Sequence, residues 1–326
     1  MNAISHQATN VPFYIRPVTK KHAGAFYDLI QEQAEQHDSA SHGNREAESW
    51  KLFEAVQRKE VQAFLVVDRK TDKPSCAVTF FDCWTAHGHG LYLEDIVTTK
   101  KQRGRGVGHF AMAALAQRAL SQGYSNLAWE CAANNLTAHR FYDSFGSERH
   151  DNLLTWRLPG PFSAPKGGKG IVRLDPPHPD MVVLMAADKA GATLAKSIAY
   201  RSYSTFRLVS GMHVETFAPN GCGEEIIAAM LEKQIQVQAA KGWTGHVDLT
   251  VSKDSEKSLA PVIRGFGFEP LSYGHDRMIP RCLRGKALET VANAKGALPV
   301  HNHSFTLSVR PLKEKKNDSF LLSSHL

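Results

Sequence analysis

Glu94 and Asp95 stand side by side in the run LYLEDIVTTKKQRGRGVGHF, Leu91 to Phe110, shortly before glycines at 104, 106 and 108 flanked by Arg103 and Arg105. A carboxylate in so apolar a stretch can attract a cation or accept a proton. The glycines open the helical run HFAMAALAQRALSQG, whose first turn leaves backbone N–H groups unpaired and carries the positive end of the helix dipole. Such a turn seats an anion, and the two arginines add charge. A glycine-rich turn also serves simply to close a strand onto a helix, so the surrounding elements must decide between the two.

Those elements read as a strand FYIRPV, helices near 23–37 and 46–59, strands AFLVVD and SCAVTFF, the Leu91 strand, a helix, the strand NLAWECA, another helix and the strand LLTWRL. This is a mixed α/β (α+β) order with an antiparallel meander at its centre. A Rossmann site would need the glycines in an early β-α-β unit and an acid ending the next strand, which instead ends ECAANN. No Gly-Lys-Ser/Thr P-loop is present.

Residues 159–170, GPFSAPKGGKG with its leading proline, read as a linker. Beyond it the order of elements recurs. Glu215 falls opposite Glu94, KGW (241–243) opposite QGY (122–124), and FGFE (266–269) opposite FGSE (145–148). The expected organisation is a complete copy over 1–158, the linker 159–170, a truncated and degenerate copy over 171–280, and a helix, strand and tail over 281–326. The helix is expected near 283–295 and the strand at SFTLSVRP.

With 326 residues, 42% of them hydrophobic, the chain can bury two cores. The net charge of +7 comes almost wholly from the second half, where only RPLKEKKND is dense and that run contains acids; this excludes a basic nucleic-acid face. No apolar run approaches the ~18 residues of a membrane span, and the five cysteines form no metal-ligand spacing. The histidines of the His87-Gly-His89 loop have no third ligand nearby in sequence. A cytoplasmic protein without metal, with reduced cysteines and no nucleic-acid or membrane partner, is expected.

The set FYIRPVT, FFDCW, LYLED, RGRGVG, AANN and HRFYDSFG…TWRL resembles the GNAT superfamily of acetyl-CoA-dependent N-acetyltransferases. Its R/Q-x-x-G-x-G/A signature is met by Arg103, Gly106 and Gly108, and within the superfamily residues 12–158 resemble the diamine (spermidine/spermine or thialysine) acetyltransferases. The resemblance implies that Ile96, Val97 and Thr98 hold the pantetheine arm of acetyl-CoA. The turn Arg103, Gly104, Arg105, Gly106, Val107, Gly108 and His109 would hold its pyrophosphate, and Asn135, Thr137 and Ala138 would line the same site.

An alkylamine with a pKa near ~10.4 must lose a proton before it can attack a thioester, and Glu94 is the candidate to take it, directly or through water. By strand alternation Asp95 faces away from Glu94 and is structural. Tyr142 matches the family's general acid at the departing sulfur, whereas the second copy has Ile263 there and PNGCGEE in place of the arginine-rich turn. Asp82 and Trp84 match an acceptor-binding position for a cationic amine. Leu153 and Leu154 stand where polyamine-acetylating relatives carry acids, which favours a shorter amine or an amino-acid-like acceptor. The expected function is acetyl transfer to a small primary amine. A protein lysine or N-terminus as acceptor, and a non-catalytic CoA-binding regulator, are the alternatives. Relatives pair as homodimers, a role the second copy could fill within one chain.

Overall fold

The computed structural model describes residues 11–36, 43–85, 87–161, 171–174, 176, 178–219, 223–273 and 276–294. The first half runs β1 (Phe13–Pro17), α1 (Ala23–Glu35), α2 (Arg45–Gln57), β2 (Gln62–Asp68), β3 (Pro74–Thr85), β4 (Gly88–Thr98), α3 (Val107–Ser121), β5 (Asn126–Ala132), α4 (Leu136–Asp143), β6 (Glu148–Arg149) and β7 (Leu153–Pro159). The second half runs β8 (Val172–Leu174), β9 (Met181–Ala187), β10 (Thr193–Ser204), β11 (Val209–Pro219), α5 (Glu224–Ala240), β12 (His246–Ser252), α6 (Lys253–Gly265), β13 (Glu269–Pro270), β14 (Ser272–Tyr273), β15 (Asp276–Arg284) and α7 (Gly285–Ala292). The expected helix near 283–295 is α7, and SFTLSVRP lies outside the described residues.

The strands form two mixed sheets, ordered β1-β2-β3-β4-β5-β15-β14, with β6 on β15, and β13-β7-β12-β11-β10-β9-β8. The repeat is visible in backbone detail. In each copy the fourth strand pairs in parallel with the fifth: β4 with β5 from Gly90↔Asn126 to Tyr92↔Ala128, and β11 with β12 from Met212↔Val247 to Val214↔Leu249. Each copy also has a β-bulge one step further on. Thr79 pairs with Asp95 and Phe80 with Leu93, leaving Glu94 as the extra residue; Ile198 pairs with Thr216 and Ala199 with Val214, leaving Glu215. The fold is therefore a tandem of two copies of one α/β design.

The copies exchange their last long strand. β7 leaves the first half to lie between β12 and β13, with Trp156 opposite Leu249, while β15 returns to lie between β5 and β6, with Arg281 opposite Trp129. The two sheets thus cut across the sequence segments 1–158 and 171–280. One face of the first sheet packs α3 and α7 through Leu115, Leu288 and Val291. The other face carries α1 and α2 and meets the second half, where Phe81 and Trp84 touch Tyr200 at ring-centroid distances of 6.3 and 6.4 Å. The outer face of the second sheet is covered by α5 and α6.

Arg281, 1% exposed, is where the exchange is felt most directly. From β15 its guanidinium donates to the Asp143 carboxylate, to Ser147 Oγ (3.1 Å) and to His139 Nδ1 (2.8 Å), all on or just after α4. Truncating it would strand the buried His139 ring and leave a void, so Arg281→Ala is expected to cost about 2–4 kcal/mol in urea unfolding. A loss below about 0.5 kcal/mol would show that α4 is not braced from β15.

Candidate active site

Beyond Tyr92↔Ala128, β4 and β5 diverge, β5 staying with β15 and β4 with β3. The gap opens into a cavity of about 860 Å³. Residues 93–98 of β4 line it with no ladder partner on the β5 side, so their backbone groups are available to a ligand lying along the strand. Ile96, Val97 and Thr98 are all part of this wall.

At one end the cavity reaches the start of α3. Gly106 is its N-cap in the left-handed region (φ +80°), Gly104 shares that conformation (φ +74°), and a Cβ on either would meet nothing within 4 Å. Glycine is therefore required here by backbone shape, and the space beside it stays open. The first turn of α3 holds no acid and no side-chain cap. Arg103 lines the cavity, anchored through Nε to Thr98 O (3.2 Å), and its Nη2 lies 3.5 Å from Glu32. Arg105 is not part of the wall; it turns to Gln102 and to Asp68, 3.7 Å away. Gly104, Val107, Gly108 and His109 complete this end, and a Cβ at Gly108 would press on the Phe141 ring at 3.1 Å, so α3 and α4 touch there. Asn135 caps α4 by accepting from Ala138 N (3.1 Å), and both line the cavity with Thr137.

The middle of the cavity holds Glu94 and Tyr142. Alternation along β4 predicts opposite faces for Glu94 and Asp95; the bulge breaks that alternation and both reach the cavity. Asp95 is fixed by Gln33 Nε2 (3.1 Å), Thr205 Oγ1 (2.8 Å) and the Thr79 hydroxyl, and burial pushes its carboxyl up to about 6. Glu94 is raised well above its ordinary value, first by burial and then by repulsion from Asp95, and its remaining exposed surface opens into the cavity. Tyr142 packs on Trp129 at 4.9 Å, and burial drives its phenol upward, so it stays protonated and able to donate.

The far end belongs to the second sheet. Arg157, carried across on β7, forms a two-pronged pair with Asp248 (2.6 Å for each bond), and Ser202, His213 and His246 stand beside it. The guanidinium and neighbouring imidazoles outweigh the burial that opposes ionisation and hold Asp248 down at about 2. Glu130 accepts from the Thr155 hydroxyl and is raised by burial. Sequence reasoning passed over Glu130, Arg157 and Asp248. The signal lay in single acids interrupting the apolar strands NLAWECA and HVDLTV.

Asp82 and Trp84 lie outside the cavity wall. Trp84 is buried, stacks on His89 (4.4 Å) and meets the tilted His178 ring (4.8 Å), while Asp82 accepts from Tyr124 (3.1 Å). Their places on β3, opposite His89 and Leu91, fall before the strands part, which separates them from Glu94. In the second copy, Ile263 is fully buried in the core, and α5 begins with Glu224 and Glu225, acids that occupy the dipole end an anion would need.

Residues 25–146 match the model of the acetyltransferase (GNAT) family. Over that segment the chain resembles GNAT-family acetyltransferases, and the segment carries Glu94, the glycine turn and Tyr142. Among solved structures, the chain is similar to a GCN5-related N-acetyltransferase from Sphaerobacter thermophilus (13% identity, 85% of this chain and 96% of the other, TM-score 0.49). It is also similar to a tandem GNAT protein from the clavulanic acid biosynthesis pathway (13% identity, 83% and 98%, TM-score 0.45). A spermidine N-acetyltransferase from Vibrio cholerae, solved with CoA and spermine, is similar over 44% of this chain and 86% of its own (11% identity, TM-score 0.38). No described helix is long and apolar enough to cross a membrane.

The glycine turn generates a direct test. Gly106→Glu places both a strained left-handed side chain and a negative charge at the α3 N-terminus, and acetyl-CoA affinity measured by calorimetry should fall at least about a hundredfold. Gly106→Asn, which tolerates that backbone conformation, should lose about tenfold or less. Equal affinities for both variants and the wild type would remove the turn from the binding site.

Proposed function

We propose that the protein transfers the acetyl group of acetyl-CoA to the primary amine of a small molecule, at the first copy only. The observation that carries this is one continuous cavity joining an acid-free helix N-terminus, the bulged Glu94 and the protonated Tyr142, closed at its far end by the second sheet. Acetyl-CoA supplies an activated acyl group, and the open space at Gly104 and Gly106 suits its phosphates. Arg103, the α3 amides and the unladdered backbone of Ile96 to Thr98 would hold it, with Asn135, Thr137 and Ala138 alongside. Glu94, Asp95 and Glu130 line the acceptor end with carboxyl groups beyond the Arg157–Asp248 pair, which can accept hydrogen bonds from an amine and, when ionised, attract an ammonium group. Because the second sheet covers that end, a compact amine fits the chamber better than a residue on a folded protein surface. Leu153 and Leu154 lie on β7, paired with β12, so a diamine or amino-acid-like acceptor would be read by the polar groups of Glu130, Arg157 and Asp248.

Glu94 takes the proton that the attacking amine must lose, its raised affinity for protons making it a stronger base than an ordinary carboxylate. Tyr142 donates to the departing sulfur. Release of free CoA with a panel of small amines, against a panel of peptides, tests the acceptor class: turnover only with peptides, or with neither, would overturn it. Tyr142→Phe keeps the ring on Trp129 and should lower turnover about a hundredfold or more with acetyl-CoA affinity nearly unchanged. Near wild-type turnover would eliminate the phenol as acid.

Glu94 gives a pH prediction whose sign follows from its raised proton affinity. A base must be ionised, so kcat/KM should rise with pH along a limb lying above the ordinary carboxylate range near ~4.3. Asp95→Asn removes the largest of the charge repulsions that raise it and should move that limb to lower pH. The native state also holds the Glu94 proton more tightly than the unfolded chain, so its contribution to stability declines as pH rises from the ordinary value through the raised one. Glu94→Gln should therefore be more stable than wild type at pH 8, by thermal unfolding, while turning over far more slowly. A limb near pH 4.3, or a destabilised Gln variant, would contradict the assignment.

A further inference from the structure

Away from the cavity, four side chains of metal-binding type converge: His87 between β3 and β4, Glu148 on β6, His150 just after it, and Cys282 on β15. One ligand atom from each lies within 4.8 Å of the others. His150 Nε2 is 3.4 Å from Cys282 Sγ and 4.0 Å from Glu148 Oε2, and Cys282 Sγ is 3.8 Å from that same oxygen. Tetrahedral zinc with bonds of ~2.0–2.3 Å would set such atoms about 3.3–3.6 Å apart, so these three contacts need close by well under an ångström and the widest separation in the cluster by about one.

We propose that His87, Glu148, His150 and Cys282 bind one zinc-class divalent ion that clamps the exchanged strand β15 to the first sheet. Two imidazoles, a thiolate and a carboxylate form a borderline-soft, four-ligand set that suits zinc and excludes calcium or magnesium. Arg284 Nε donates to Glu148 Oε1 (2.7 Å), which fixes that carboxylate and leaves Oε2 facing the cluster. Its Nη1 also lies 3.4 Å from His87 Nδ1 and would shift as that ring turns to the ion. On binding, the Cys282 thiol gives its proton to solvent and a thiolate–metal bond forms, with no change in oxidation state. His89, the other loop histidine, stacks on Trp84 and is not a ligand. Sequence spacing could not reveal the site, because its ligands come from three separated segments of the chain, the last belonging to the second half.

The test uses the full chain stripped with a chelator and then titrated with Co²⁺ or Zn²⁺, and it reads metal binding independently of acetyl transfer. The wild type should bind one Co²⁺ with intense tetrahedral d–d bands and thiolate-to-cobalt charge transfer, and Zn²⁺ should displace it. Cys282→Ser should lose the charge-transfer band. His87→Ala alters a half-buried loop side chain, so the fold should survive, and it should weaken Zn²⁺ binding at least about tenfold. At a hundredfold excess over its Kd, Zn²⁺ should raise the thermal midpoint of the wild type by about 4 °C, and that of His87→Ala much less. A wild type without the charge-transfer band, or a Cys282→Ser or His87→Ala protein that binds as tightly as wild type, would overturn the proposal.

Discussion

The exchange of β7 and β15 is the constraint on which the rest of the molecule depends. Backbone N–H and C=O groups along a sheet edge must find partners, and here the outer edges of β5 and β12 find theirs in strands from the opposite half. Beyond Tyr92, β5 stays with β15 while β4 stays with β3, and the gap between them is the cavity. Because β7 crosses over, Arg157 arrives opposite Glu94 rather than beside α4. Because β15 returns, Arg281 reaches α4, the helix that carries Tyr142. The position of Arg157 and the bracing of α4 are two consequences of one pairing choice.

The sheet of the second copy lies over the cavity of the first. Its α5 starts with acids and its Ile263 is core, yet its sheet covers the bulged carboxylates of the first copy and removes them from bulk water. Burial is the first cause of the raised Glu94 and Asp95 carboxyls, and mutual repulsion adds to it for Glu94. A lone first copy would leave those groups wetter and nearer their ordinary values. The duplicated sheet thus sets the dielectric and the solvent exclusion around those carboxylates.

Much of this was legible in the residues. Hydrophobic periodicity and punctuation gave the order of elements, and the glycine turn announced the α3 N-terminus because only glycine is at ease in the conformation that Gly104 and Gly106 adopt. The pairing of Glu215 with Glu94 survived as matching bulges. What stayed hidden depends on partners remote in sequence. A bulge is a property of two strands together, so the common face of Glu94 and Asp95 could not be inferred from period-two alternation in one. The destination of LLTWRL is equally invisible, since the same apolar strand would satisfy either sheet. Asp82 and Trp84 looked like acceptor contacts by local composition, and only the point at which β4 and β5 part places them elsewhere.

The exchange also orders events during synthesis. A ribosome delivers the first half of the chain long before β15, so β5 must wait with one edge unpaired until nearly three hundred residues have emerged, and α4 waits for Arg281. Meanwhile β7, already made, has no β12 to join. An N-terminal unit of this kind cannot finish folding vectorially; the first sheet is completed only when β15, the last long strand, joins β5. During that interval the open edge of β5 is a template for intermolecular pairing, so the yield of folded protein is set by how quickly the second half follows the first.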